Sequence, residues 1–158
     1  MPSDIVRIGF KIKVNDEEKA SLVEALIYEH DTDPNRLIGR TLANLLLGKH
    51  ANEADPERLW VQLFGEQLIG FDINPSPDLD LSWVRITDFQ GMANPALIGK
   101  LIQITLTRHL PLVFTYASEN PDHRDRYSGG CVIVTDGEVM VRDARLWADQ
   151  TRRSADER

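Results

Sequence analysis

The strongest strand pattern lies between Cys131 and Arg142, where two apolar runs flank a polar turn. Two β-branched runs flank Asp136-Gly137, a dipeptide that favours a two-residue hairpin turn of type I′. Around this turn one face of the hairpin carries only valines, and a shift of one residue would move them to the opposite face. The pattern predicts a hairpin inside a sheet that is covered on its valine side. Its predicted cross-strand pairs are Val132 with Val141 and Val134 with Val139.

Apolar and polar residues alternate from Ile5 to Val14, and this pattern predicts a half-buried strand. Its polar side carries three cations, Arg7, Lys11 and Lys13. Cations on the exposed side of a strand are typical of a sheet edge that is protected from unwanted pairing. The alternative is an anion-binding or nucleic-acid-binding surface, which predicts salt-dependent retention on heparin.

Four positions carry helix-start signals, because a capping side chain precedes an apolar, helix-periodic run. The first helix is expected to bury two rows, Leu22 with Leu26 and Val23 with Ile27, and the second is expected to end at Gly48. A third, short helix should end at Gly65, although a strand over residues 60–64 fits nearly as well. The four start signals are Asn15, with Glu18 completing a capping box, Asp33-Pro34, Asp55-Pro56 and Asn94-Pro95.

Further strands are predicted over residues 69–73, 81–87 and 112–116, followed by a polar loop over 118–130. A last short helix should start near Asp143. This order of elements predicts an α+β fold, with a mostly antiparallel sheet of five or six strands and helices packed mainly on one face. Residues 1–150 are expected to form a single domain, and residues 151–158 a charged, frayed tail.

Composition favours a globular domain, since 42% of the 158 residues are hydrophobic and 27% are charged. No apolar run approaches the roughly 20 residues of a membrane span, and the N-terminus has no secretory pattern. The single cysteine excludes an internal disulfide. These features predict a cytoplasmic protein without a membrane partner.

The formal net charge is −7, and most of the excess lies between His50 and Gln90, where eight acidic residues accompany two arginines. Binding of nucleic acid depends on clustered lysine and arginine that neutralise phosphates. Nucleic acid is therefore an unfavoured partner. The acidic stretch is interpreted as a solvated flank that aids solubility.

The predicted loop holds the densest group of reactive side chains. His123 is a candidate general base, Asp125 would orient it, and Cys131 is a candidate nucleophile close in sequence. The alternatives are a plain solvated loop and a cysteine that serves only as a small apolar side chain. Candidate ligand-binding residues in the same loop, suited to a carboxylate or phosphate, are Arg124, Arg126 and Tyr127.

No metal or cofactor is expected. The acidic run over 72–80 has oxygen ligands at alternate positions, like a calcium loop, but Pro77 stands where the turn needs glycine and Trp83 where a glutamate is needed. The four histidines lack ligand spacing, and one cysteine excludes the common zinc patterns. Nucleotide-binding and serine-hydrolase motifs are also absent from the sequence.

No motif joins a nucleophile, a base and an anion hole. The leading hypothesis is therefore a non-enzymatic, cytoplasmic binding or regulatory domain that acts through protein–protein contact, with another protein or with a second copy of itself. The alternative is a small hydrolytic or group-transfer enzyme that uses the His123 loop, with or without Cys131.

Overall fold

The computed structural model describes residues 4–49, 55–75, 81–120 and 123–143, and the backbone alone at 120 and 123–127. Within these ranges the chain forms one antiparallel sheet in the order β2-β3-β1-β4-β5-β6. The strands are β1 (Ile5–Lys13), β2 (Phe71–Pro75), β3 (Trp83–Asp88), β4 (Leu112–Asn120), β5 (His123–Val134) and β6 (Val139–Asp143). The helices are α1 (Asp16–His30), α2 (Arg40–Lys49), α3 (Pro56–Phe64) and α4 (Pro95–Thr105), followed by a 3₁₀ turn (Thr107–His109). The predicted α+β fold is confirmed.

The core lies between the helices and one face of the sheet. Along β1 the side chains alternate, so that Ile8 and Ile12 are buried while Arg7, Lys11 and Lys13 are exposed. Helix α4 lies against the valine side of the β5–β6 hairpin, where a Cβ at Gly99 would come within 2.5 Å of Val139 Cγ1. The opposite face of the sheet, called the outer face below, carries the exposed positions of β1.

The predicted valine hairpin is confirmed in register. Val132 pairs with Val141 and Val134 with Val139, and the N–H of Thr135 donates to the carbonyl of Glu138 at 2.9 Å. Val132 and Val134 are fully buried, whereas Val141 is 41% exposed. The predicted type I′ turn is wrong, because neither Asp136 nor Gly137 has a positive φ.

Strand β1 lies inside the sheet, with β3 on one side and β4 on the other. The prediction that its cations protect a sheet edge is therefore wrong. Sheet edges lie at β2 and β6 in the described part of the chain. The three cations need a different explanation, because a strand paired on both sides has no free backbone groups to protect.

Helix α1 begins as predicted. The N–H of Glu18 donates to Asn15 Oδ1 at 2.8 Å, and the N–H of Asn15 donates to Glu18 Oε1 at 2.9 Å. Its buried face is rotated from the predicted one, since Val23 and Ile27 are 38% and 62% exposed. The buried positions are Glu18, Ser21, Leu22, Ala25 and Tyr28. A polar residue, Glu18, occupies the face because it binds partners elsewhere in the fold.

Helix α2 begins six residues later than its predicted start. The Asp33 carboxylate accepts from the N–H of Asn35 at 2.9 Å, which makes a local turn instead of a helix cap. The predicted end is also wrong, since Gly48 lies inside the helix. The third and fourth helices begin at the predicted Asp55-Pro56 and Asn94-Pro95 signals, and the third ends at Gly65 as predicted.

The predicted loop over 118–130 is wrong. Strand β4 continues to Asn120 and β5 begins at His123, so this segment is a long β-hairpin with a register shift near its tip. Charge and polarity therefore do not prevent strand pairing in this segment. Strand β6 ends at Asp143. The helix predicted to follow Asp143 and the predicted tail over 151–158 lie outside the described residues.

Candidate functional site

The hairpin of β4 and β5 distributes the predicted site residues along a strand instead of gathering them. Cys131 pairs with Thr115, and His123 pairs with Asn120 at the tip. Five positions of β4 separate these pairs, which is about 17 Å of strand. A general base must approach its nucleophile to about 3 Å. The backbone therefore does not support a direct pair of His123 and Cys131.

The other predicted site residues lie near the tip. Tyr127 pairs with Glu119, and the register then shifts, so that Arg124, Asp125 and Arg126 fall in the irregular part of β5. Their roles in ligand binding remain predictions.

Cys131 lies on the outer face, half-buried, between Thr115 on β4 and Arg142 on β6. The two glycines before it allow close contact between strands. A Cβ at Gly129 would lie 2.5 Å from the carbonyl oxygen of Tyr116, and one at Gly130 would lie 2.1 Å from that of Arg142. These short distances give the two glycines a structural explanation.

The sheet also brings together cations that sequence reasoning considered only in part. Arg85 on β3 pairs directly with Lys11 on β1, and both side chains are exposed on the outer face. Together with Arg7 and Lys13, which project from the same face of β1, they form what we call the basic band: Arg7, Lys11, Lys13 and Arg85. The sequence pattern alone did not place Arg85 in this band, because its position beside Lys11 depends on the register between β1 and β3.

A glycine shapes the middle of the basic band. Gly9 lies between Arg7 and Lys11 on the exposed side of β1, and a Cβ there would lie 3.7 Å from Nη2 of Arg85. The Arg85 guanidinium thus lies beside the position that Gly9 leaves open. Alternate residues of a strand are about 7 Å apart, so the cations follow one another along the sheet.

None of the four cations of the basic band lies within 4.0 Å of a carboxylate among the described residues. Among the described residues, both ion pairs involve Glu18, which lies on the helical side of the sheet. Cations this close together, without counterions, attract an anionic group from solution.

An apolar row crosses the outer face next to the basic band. Val113, Ile133 and Met140 are directly paired from β4 to β5 to β6. Val113 is 60% exposed, and the other two are half-buried. Trp83 lies on the same outer face, on β3, where it pairs with Lys13 of β1. Aromatic, methionine and arginine side chains are enriched in protein interfaces.

The described residues contain no group of three or more histidine, cysteine or acidic side chains arranged to hold a metal ion. No described helix is both long enough and apolar enough to cross a bilayer. Comparison with protein-family models, curated proteins and solved structures finds no match for this chain.

Proposed function

We propose that this protein is a non-enzymatic cytoplasmic binding domain, and that the outer face of its sheet binds an acidic segment of another protein. The observation that carries the proposal is the basic band, four exposed cations without a carboxylate partner among the described residues. In a chain of net charge −7 such a band is a local exception.

The arrangement is unfavourable for folding alone. Like charges directly opposite each other on neighbouring strands destabilise a sheet, and Lys11 lies directly opposite Arg85. A local arrangement that opposes stability, without a compensating contact, is typical of a functional surface. An acidic partner would relieve the repulsion and gain charge-assisted hydrogen bonds from Arg85.

The surroundings of the basic band favour a protein over a nucleic acid. The apolar row offers Val113, Ile133 and Met140 to apolar side chains, which an acidic peptide can carry and a phosphate backbone cannot. The net charge of −7 also repels a polyanion with the charge density of nucleic acid. A short acidic and apolar segment fits both features.

A second copy of the chain is the other partner that charge favours. The stretch between His50 and Gln90 supplies eight acidic residues against two arginines. Self-association through the basic band would therefore weaken as salt rises. Sedimentation velocity at low and high salt would detect it.

Binding to a labelled glutamate-rich peptide that contains leucine tests the proposal by fluorescence anisotropy. The test variant is Lys11→Glu/Arg85→Glu, and the matched control is Lys19→Glu/Arg40→Glu, which makes the same charge change at exposed sites on α1 and α2. We expect the unmodified protein and the control to bind in a salt-dependent manner, and the test variant to lose about tenfold or more in affinity.

Two results would contradict the proposal. One is equal loss in both double variants, because net charge alone would then explain binding. The other is tighter binding of a single-stranded oligonucleotide than of the acidic peptide, which would assign the outer face to nucleic acid.

A further inference from the structure

A concave surface lies on the helical side of the molecule, away from the basic band. It is a cleft of about 370 Å³ between the end of α1, the turn before α2, and α3 with the segment after it. Its volume lies in the range of small-molecule sites. Its lining residues are Glu29, Arg36, Trp60, Val61 and residues 65–68.

Arg36 is the cation of this cleft. Its guanidinium carbon lies 4.3 Å from the centre of the Tyr28 ring, and its Nε is buried without a hydrogen-bond partner in the described structure. No carboxylate among the described residues lies within 4.0 Å of it. Because Nε is inaccessible to solvent, a ligand in the cleft can meet Arg36 only at the terminal nitrogens of its guanidinium.

The turn that carries Arg36 is held in place by neighbouring contacts. The N–H of Arg36 donates to the carbonyl of Asp33 at 3.1 Å, and the N–H of Ile38 donates to Glu57 Oε1 at 2.9 Å. Stacking on Tyr28 further restricts the guanidinium. The donor is thus preorganised, which lowers the entropy lost on binding.

The carboxylate of Glu29 is already used by the backbone. It accepts from the N–H groups of Ile69 and Gly70. Burial raises the pKa of Glu29, and these hydrogen bonds oppose the rise. Glu29 and Glu66 disfavour a doubly charged ligand such as phosphate, whereas Trp60 and Val61 favour an apolar body.

We propose that this cleft binds a small carboxylic acid with an apolar, ring-sized body, and that Arg36 binds its carboxylate. The two terminal nitrogens of arginine match the two oxygens of a carboxylate. The body of the ligand would lie along Trp60 and Val61. This site is separate from the outer face, and neither proposal depends on the other.

Calorimetry and ligand-observed NMR with 3-phenylpropionate and its neutral amide test the inference. We expect the acid to bind about tenfold or more tightly than the amide. Arg36→Met should lose this preference. Val61→Glu should also weaken binding of the acid. This variant keeps Arg36 and adds a repelling carboxylate at a helix position that is 53% exposed.

Arg40→Met is the matched control, because Arg40 is exposed on α2 and does not line the cleft. It should bind like the unmodified protein. The inference is overturned if acid and amide bind equally, if Arg36→Met keeps the preference, or if neither probe binds up to its solubility limit. Tighter binding of inorganic phosphate would overturn the assignment to a carboxylate.

Discussion

Glu18 shows how one side chain can join distant parts of a chain. It is only 6% exposed, completes the cap of α1 through the N–H of Asn15, and accepts from Arg108 Nη2 at 2.7 Å. His109 Nε2 lies 3.1 Å from its other oxygen. Burial acts to raise the pKa of Glu18, but the hydrogen bonds from Arg108, Asn15 and His109 prevail and lower it below 4.5.

We expect Glu18→Gln to destabilise the protein at neutral pH by about 1–3 kcal/mol, because a buried carboxylate loses charge-assisted hydrogen bonds. A lowered pKa in the folded state means that this contribution is present above 4.5 and is lost as the pH falls through the folded pKa. The difference between variant and parent should therefore shrink in acid. Urea unfolding over a pH series measures it.

The control for this experiment is Glu17→Gln, a change at the exposed neighbour in the same first turn. It alters the interaction with the helix dipole alone and should have a smaller effect at neutral pH. If the two variants lose the same stability, the network around Glu18 is not important for the fold.

Helix α2 differs from α3 in where its cap comes from. Asp55 caps α3 locally by accepting from Glu57 and Arg58. The first N–H groups of α2 instead donate to Glu24 of α1, from Thr41 and Leu42 at 3.1 Å each. A carboxylate at a helix N-terminus stabilises it through the dipole and the free N–H groups.

Gly39 makes room for this remote cap. A Cβ there would lie 2.1 Å from Glu24 Oε1, so Gly39→Ala should displace the carboxylate and destabilise the protein by about 1–2 kcal/mol. Gly48→Ala is the matched control. Gly48 lies inside α2, and a Cβ at this position would have no atom within 4 Å. It should stabilise by about 0.5–1 kcal/mol.

Chemical denaturation of both glycine variants measures these opposite effects. In a Glu24→Ala background the penalty of Gly39→Ala should largely disappear, because the clashing group is gone. An unchanged penalty in that background would assign it to the backbone of residue 39 instead.

These two helix starts show which parts of the fold could be predicted from the sequence. Signals completed within a few residues, such as the cap at Asp55 and the register of the valine hairpin, are confirmed. Asp33-Pro34 carries the same letters as Asp55-Pro56, but α2 begins where a glutamate from another helix satisfies its N–H groups. No local pattern contains that information.

The candidate sites were less predictable for the same reason. Arg7, Lys11 and Lys13 could be placed on one face by parity, yet their position inside the sheet and the addition of Arg85 depend on strand order. The cleft at Arg36 is assembled from three separate segments. The segment with the most reactive side chains forms a strand pair, because charged and polar residues do not exclude antiparallel pairing.

At the scale of the whole molecule, the basic band predicts a conflict between stability and binding. Lys11→Thr removes the charge opposite Arg85 and should stabilise the protein by about 0.2–1 kcal/mol, while weakening binding of the acidic peptide. Lys13→Thr is the control, because Lys13 pairs with Trp83 instead of a cation. Thermal unfolding and anisotropy on the same samples measure both effects.

The control shares the change in strand propensity, so a larger gain for Lys11→Thr isolates the charge repulsion. Loss of stability at Lys11 together with unchanged peptide binding would contradict the proposed role of the basic band.

The central place of β1 in the sheet also bears on how the protein is made. This strand is synthesised well before its neighbours β3 and β4, which begin only at Trp83 and Leu112. Until both have been synthesised, the backbone of β1 has no strand to pair with on either side and is exposed to aggregation or to chaperones. Co-translational pairing of β1 on both sides must therefore wait until β4 has emerged.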